Sequence, residues 1–119
     1  MAAKVLYVDD ENINLFLFQA SFEDEFEIIT ASSGEEGLEI LLEEEIEILI
    51  SDMNMPGMNG VELIKKAKQL NPQLPCVILS GYQQNESIQQ AQKEGLIEAF
   101  VSKPFVKEKI IELINSLKQ

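Results

Sequence analysis

The sequence predicts an α/β fold in which five helices cover both faces of a doubly wound, five-stranded parallel sheet. Short apolar runs alternate with amphipathic stretches along all 119 residues, a pattern typical of repeated strand–helix units. The runs are apolar at nearly every position, as expected for strands that are buried on both faces. The length fits one domain over residues 1–119, and we expect no output domain within it.

Five runs are predicted to form the strands: Val5–Val8, Phe26–Ala31, Ile46–Ser51, Cys76–Ser80 and Ala99–Ser102. In the first helix, Ile13, Phe16, Leu17 and Ala20 recur at helical spacing, which predicts one apolar stripe facing the core. Each strand is thus followed by a helical pattern, so the connections are the crossovers that parallel strands require.

The second helix is predicted to open at Ser33, where Ser-Gly-Glu-Glu forms a capping box, and to carry Leu38, Leu41 and Leu42. The third begins near Gly60 and stops at Asn71-Pro72, with Val61, Ile64, Ala67 and Leu70 pointing inward. The fourth, about residues 85–94, has only Ile88 and Ala91 as its apolar face. The last, about Val106–Leu117, is strongly apolar through Val106, Ile110, Ile111, Ile114 and Leu117.

The composition excludes several classes of function. The formal net charge is −12, and residues 1–60 hold fifteen of the 21 acidic residues but only one basic residue, Lys4. Such a surface repels phosphate backbones, and the chain has no arginine, so we expect no direct binding of nucleic acid. With no histidine and a single cysteine, Cys76, a disulfide is excluded and a zinc site is not expected. No membrane span or signal peptide is predicted, and the cytoplasm is the expected location.

Polar residues stand where the predicted strands end. Asp9 and Asp10 follow the first strand, Asp52 follows the third, Ser80 ends the fourth and Lys103 follows the fifth. In an open α/β sheet the carboxyl ends of the strands share one edge, where ligands bind. Oxygen ligands without histidine or cysteine favour Mg²⁺, Mn²⁺ or Ca²⁺, and three acids fit Mg²⁺ better than a Ca²⁺ cage. We therefore expect Mg²⁺, with Mn²⁺ as an alternative.

Four motifs, in this order and spacing, resemble the receiver domain of bacterial two-component response regulators, including the chemotaxis regulators: "VDDEN", "SDMNMPGMNG", "ILSG" and "FVSKPF". Each motif alone is weak, but together they are strong, and the similarity covers essentially the whole chain. The resemblance implies a flavodoxin-like strand order, 2-1-3-4-5. It also implies a signalling domain that catalyses only its own phosphorylation and dephosphorylation, rather than a metabolic enzyme.

The resemblance implies a role for each site residue. Asp52 would be the phosphoacceptor, and Asp10 and Asp52 would bind Mg²⁺ with the backbone carbonyl of Asn54, while Asp9 acts mostly through water. Ser80 would donate a hydrogen bond to the phosphoryl group. Lys103 would pair with the acceptor carboxylate and then with the phosphate.

The resemblance also implies a switch. The phosphoryl group would draw Ser80 inward, and Phe100, at the aromatic switch position, would fill the vacated space. The face formed by the fourth helix, fifth strand and fifth helix would then be recognised by a downstream protein or a fused output domain.

The phosphodonor would be a histidine kinase or a histidine phosphotransfer protein, because this chain has no histidine of its own.

Three other functions remain to be weighed. An aspartate-nucleophile phosphatase of the haloacid dehalogenase type would need D-x-D-x-T on the first strand. A flavin-binding module would need a Ser/Thr-rich phosphate loop where this chain has carboxylates. A degenerate receiver, acting as a phosphorylation-independent binding scaffold, is the closest alternative, although Asp10, Asp52, Ser80 and Lys103 are all present.

Overall fold

Five parallel strands form one sheet in the order β2-β1-β3-β4-β5, with a helix after each strand. The computed structural model describes residues 2–81 and 86–118. The strands are β1 Lys4–Val8, β2 Glu27–Ala31, β3 Ile48–Ser51, β4 Cys76–Ser80 and β5 Ala99–Ser102. The helices are α1 Asn12–Phe22, α2 Gly34–Glu43, α3 Gly60–Leu70, α4 Glu86–Lys93 and α5 Lys107–Leu117. The predicted fold class and strand order are confirmed.

Alternation along the central strands divides the core into two layers. On β1, Leu6 and Val8 face a layer built with the apolar sides of α2, α3 and α4. Val5 and Tyr7 face the opposite layer, built with α1 and α5. Because β1, β3 and β4 are buried on both faces, they read as continuous apolar runs. The two edge strands are less buried.

The predicted stripe on α1 is wrong. Ile13 is 72% exposed, Phe16 71% and Leu17 51%, and Ala20 is exposed too. The helix is instead buried through Phe18 and Phe22, with Leu15 half-buried beside them. The helix is apolar almost all round, so spacing alone could not select the inward face. The aromatic stripe is buried because Tyr7 on β1 offers Phe18 a stacking partner.

The capping box predicted for α2 is only half formed. The side chain of Ser33 accepts a hydrogen bond from the Glu36 backbone N–H, but the Glu36 carboxylate accepts from the backbone N–H of Ser32 rather than of Ser33. A complete capping box is found at α3, where Asn59 and Glu62 satisfy each other's backbone N–H groups. Leu42, at the end of α2, is exposed.

Two further residues lie outside the core positions expected of them. Leu70 is half exposed at the last residue of α3, whereas Val61, Ile64 and Ala67 are buried as predicted. Val106 is exposed because it is the N-cap of α5 rather than part of its apolar face.

The burial of α4 and Cys76 fits the predictions. Ile88 and Ala91 are the two buried residues of α4, and the first residue of its predicted range, Asn85, lies outside the described residues. Burial raises the pKa of the Cys76 thiol to about 12. Among the residues described, no helix is long and apolar enough to cross a membrane.

Candidate functional site at the carboxyl edge of the sheet

Parallel hydrogen bonding continues one residue beyond three of the strands and fixes the backbone of the site. The N–H of Asp9 donates to Ala31 O at 3.1 Å, that of Asp52 to Val8 O at 2.8 Å, and that of Lys103 to Ser80 O at 2.8 Å. Each side chain is therefore held by the sheet rather than by a mobile loop. The Lys103–Pro104 peptide bond is cis.

Three carboxylates meet at this edge. One oxygen from each of Asp9, Asp10 and Asp52 lies within 4.8 Å of the others. Asp9 and Asp52 are buried, while Asp10 is exposed. A cluster of oxygen ligands with one open side fits a hard divalent cation that keeps some of its waters, as Mg²⁺ does. The donor set of these residues therefore suits a divalent metal.

Lys103 is the cation of the cluster, and it lies nearer to Asp9 than the resemblance implied. Its Nζ atom is 3.0 Å from Oδ2 of Asp9 and 3.6 Å from Oδ1 of Asp52. Because both carboxylates are within ion-pair distance, the ammonium is shared between them.

Asp9 accepts hydrogen bonds from three groups besides Lys103. The Tyr7 hydroxyl donates to Oδ2 at 2.7 Å, the Asn14 amide to Oδ2 at 3.2 Å, and the Glu11 backbone N–H to Oδ1 at 3.0 Å. Burial alone would raise the pKa of Asp9, but these donors and Lys103 outweigh it and hold the pKa below its ordinary value. Asp9 is thus stable as a buried anion.

Asp52 has the opposite balance. Burial is the largest effect and raises its pKa; Lys103 opposes this, and the charge of Asp9 adds to the increase. Opposite shifts in two neighbouring carboxylates are a feature of many functional sites.

Asn54 belongs to the loop that follows β3. Asn54 is exposed two residues after Asp52, and the chain turns at Gly57, whose φ of +82° favours glycine. Gly60 is needed for another reason, since a Cβ there would overlap the carbonyl oxygen of Asp52. The Gly60 N–H donates to Met53 O at 2.9 Å, which holds the loop against the strand end.

Ser80 and Phe100 lie on adjacent strands. Ser80 is fully buried at the end of β4. Phe100 pairs in register with Ile78 and packs, half-buried, against the layer formed by α2, α3 and α4. Ser80 is thus at the carboxyl edge with the acids, and Phe100 is two residues back along the sheet.

Two contacts of the site were missed from the sequence, those of Tyr7 and Asn14 with Asp9. The signal for Tyr7 was its place two residues before Asp9, which puts both side chains on one face of β1 and its extension. Asn14 lies in the first turn of α1 and reaches back to the strand end. A cleft of about 450 Å³ opens next to these residues, lined by Tyr7, Asn14, Leu17, Lys103, Pro104 and Phe105.

The chain is similar to proteins of one family along nearly its whole length. The model of the response regulator receiver domain matches residues 5–115. The hydrogenase transcriptional regulatory protein HoxA of Cupriavidus necator is 31% identical over 113 residues, which are 95% of this chain but only 23% of HoxA. Sporulation initiation phosphotransferase F of Bacillus subtilis is 28% identical, with 97% of this chain and 93% of that protein covered.

Solved structures agree with this relationship. A response regulator receiver domain protein from Clostridium thermocellum superposes with a TM-score of 0.90 at 33% identity, covering 97% of this chain and 93% of that chain. The response regulator TrrA of Thermotoga maritima, solved in complex with Mg²⁺-BeF, has a TM-score of 0.84 at 25% identity and coverage of 97% and 98%. The fold, the carboxylate cluster and these similarities together show that the chain belongs to the response regulator receiver domain family of two-component signalling systems.

Proposed function

We propose that this domain is a phosphorylation-dependent switch whose phosphoacceptor is Asp52. The observation that carries the proposal is the meeting of Asp52 with two further carboxylates and Lys103 at one edge of the sheet. In the proposed reaction an Oδ atom of Asp52 bonds to phosphorus while the phosphorus–nitrogen bond of a phosphohistidine breaks. The departing nitrogen keeps the electron pair, and an acyl phosphate remains on Asp52.

The environment of Asp52 favours this role. Burial and the charge of Asp9 raise its pKa, so the carboxylate is more basic and a better nucleophile than an exposed one. Lys103, 3.6 Å from Oδ1, can follow the new negative charge onto the phosphoryl oxygens. Ser80, at the end of the neighbouring strand β4, would donate a hydrogen bond from its hydroxyl to the phosphoryl group. Phosphoryl transfer needs little more than such positioning and neutralisation of charge.

Asp9, Asp10 and Asp52, with the backbone carbonyl of Asn54, are the residues that would hold the metal. Their oxygen ligands suit Mg²⁺, with Mn²⁺ as an alternative. When bound, the cation neutralises charge on the transferring phosphoryl group.

The proposed phosphodonor is a histidine kinase or a histidine phosphotransfer protein. Beside the acidic edge, α1 exposes Ile13, Phe16 and Leu17, and Leu17 also lines the cleft next to Lys103. Monomeric proteins rarely leave large apolar side chains grouped in this way unless the group is a contact surface. A partner that docks there would bring its phosphohistidine over Asp52.

We propose that this phosphoryl transfer takes place in the cytoplasm and involves neither nucleic acid nor membrane.

The proposed output is the face formed by α4, β5 and α5. Ser80 and Phe100 would act as the switch, since movement of one at the end of β4 changes the space available to the other on β5. Only Ile88 and Ala91 bury α4, so a few kcal/mol of differential contact would suffice to shift it. The chain spans about a quarter of HoxA. The partner that binds this face is therefore proposed to be a separate protein or a fused output domain. Residues 1–119 are proposed to form a single receiver domain.

The test is the intact mass of the protein after incubation with Mg²⁺ and acetyl phosphate. We expect the mass of one added phosphoryl group in the native chain, no gain for Asp52→Asn, and no gain when Mg²⁺ is removed with a chelator. If no gain is found and beryllofluoride with Mg²⁺ leaves the NMR spectrum unchanged, the domain is instead a phosphorylation-independent scaffold.

A further inference from the structure

Tyr7 is tied directly to the buried anion of the site. Its side chain is 1% exposed, and its hydroxyl donates to Oδ2 of Asp9 at 2.7 Å. The ring stacks on Phe18 of α1 with centroids 4.1 Å apart and planes 12° from parallel. Phe18 in turn meets the edge of Phe105, two residues after Lys103. The hydroxyl is therefore presented to Asp9 from a rigid aromatic support.

One oxygen of Asp9 accepts from three side chains at once. Tyr7 donates to Oδ2 at 2.7 Å, Lys103 at 3.0 Å and Asn14 at 3.2 Å. A carboxylate oxygen has two lone pairs, so the three donors compete for it. The short, charge-assisted bond from Tyr7 leaves less negative charge for Lys103. The strength of the Asp9–Lys103 pair thus depends on a neutral hydroxyl that donates to the same carboxylate oxygen.

The pairing of the Lys103 ammonium with two carboxylates affects the proposed reaction, because only one of them is the proposed phosphoacceptor. The ammonium lies 3.0 Å from Asp9 and 3.6 Å from Asp52, so a tighter pair with Asp9 would draw it away from Asp52. We propose that Tyr7 is a positioning residue for phosphoryl transfer, its hydroxyl loosening the hold of Asp9 on Lys103 so that the ammonium remains available to Asp52. This inference rests on the proposed function of Asp52.

Two features support a permanent role as donor. A phenol hydroxyl has an ordinary pKa of about 10, so the group is protonated at physiological pH. Asn14 donates to the same oxygen, but at 3.2 Å and with partial exposure it is the weaker competitor. Tyr7 is therefore the residue to change.

The experiment is a double-mutant cycle of Tyr7→Phe with Asp9→Asn. The first substitution removes the hydroxyl and keeps the stacked ring. At saturating Mg²⁺ and acetyl phosphate we expect Tyr7→Phe to lower the rate constant for phosphorylation of Asp52 about fivefold. The concentration of acetyl phosphate giving half the maximal rate should not change. In the Asp9→Asn background, where the charged oxygen is gone, the effect should fall below about 1.5-fold.

A second cycle with the same variants measures unfolding in metal-free buffer and does not depend on phosphorylation. Tyr7→Phe should lower the urea midpoint in the native background and much less in Asp9→Asn. Ile114→Val, in the same core layer, is the control for packing: it should lower the midpoint without lowering the rate constant.

The outcomes separate the two proposals. If the native chain is not phosphorylated, the function proposed for Asp52 fails. If the native chain is phosphorylated and Tyr7→Phe reacts equally fast, only the role of Tyr7 is overturned. The same conclusion follows if Tyr7→Phe slows the reaction as much in Asp9→Asn as in the native background, since Tyr7 would then act through packing alone.

Discussion

At the scale of single residues, the site is an arrangement of unequal carboxylates. Asp9 is charged and well supplied with hydrogen bonds, which lower its pKa, whereas burial and a like charge raise the pKa of Asp52. The folded protein therefore bears a free-energy penalty for ionising Asp52 that the unfolded chain does not. Penalties of this kind are common for ionisable groups at functional sites.

Replacing Asp52 should stabilise the metal-free protein. Because the folded pKa of Asp52 is raised, its charge destabilises the fold above that pKa. The penalty disappears as the pH falls below the unfolded value of about 3.9. We expect Asp52→Asn to raise the free energy of unfolding by about 1 kcal/mol at neutral pH, and by less at low pH. Urea denaturation in chelator at both pH values measures this difference.

The control for this prediction is Asp24→Asn, which also removes one negative charge but at an exposed position after α1. It should change the free energy of unfolding by no more than about 0.5 kcal/mol. A stabilisation of equal size in both variants would mean that net charge matters, and not the local environment of Asp52.

At the scale of elements, α1 has two apolar faces with different tasks. One face is buried through Phe18 and Phe22, and the other is exposed beside the carboxyl edge through Ile13, Phe16 and Leu17. Burial of the first face ties the helix to β1 and positions Asn14 at Asp9. The exposed face is the surface proposed above to contact the phosphodonor.

The two faces should respond differently to truncation. Phe18→Ala removes a fully buried ring and should lower the free energy of unfolding by about 3–5 kcal/mol. Phe16→Ala, two residues away on the same helix, should change it by about 0.5 kcal/mol or less. Thermal unfolding of the two variants compares them directly. A large loss in the free energy of unfolding for Phe16→Ala would mean that the apolar stripe first predicted from the sequence is the buried one.

The exposed face should matter for transfer between proteins but not for transfer from a small donor. Phe16→Ser should slow phosphoryl transfer from a phosphorylated histidine phosphotransfer protein about tenfold, since central aromatic contacts carry much of the binding energy of an interface. Its phosphorylation by acetyl phosphate should be unchanged. Leu42→Ser is the matched control, because Leu42 is equally exposed on α2; an equal loss there would exclude a specific contact through α1.

Physical differences between elements explain which predictions from the sequence succeeded. The central strands β1, β3 and β4 were predictable because burial on both faces leaves an unbroken apolar run, and the positions of Asp9, Asp10 and Asp52 follow from where those runs end. The inward face of α1 was not predictable, because two stripes were available and the choice depends on Tyr7, a tertiary partner. The sharing of Lys103 likewise depends on distances that no motif encodes.

At the scale of the whole molecule, charge and compactness oppose each other. The chain carries a formal net charge of −12 within a radius of gyration of 12.7 Å. Most of the acids belong to the first half of the sequence, and the ion pairs Lys4–Glu44 and Lys68–Glu98 lie at the surface, where such pairs contribute little. Repulsion among carboxylates should therefore outweigh these attractions at low ionic strength.

Monovalent salt should accordingly stabilise the protein. At about 0.01 M salt the screening length is about 30 Å, longer than the molecule's radius, whereas at about 0.1 M it is about 10 Å. We expect the thermal midpoint in chelator to rise by about 3–8 °C over this range, which corresponds to about 1 kcal/mol for a domain of this size. Calorimetry with NaCl and KCl separates screening from specific binding, since both salts should act alike. A midpoint that falls with salt would mean that the surface ion pairs, and not the net charge, dominate the electrostatics of this domain.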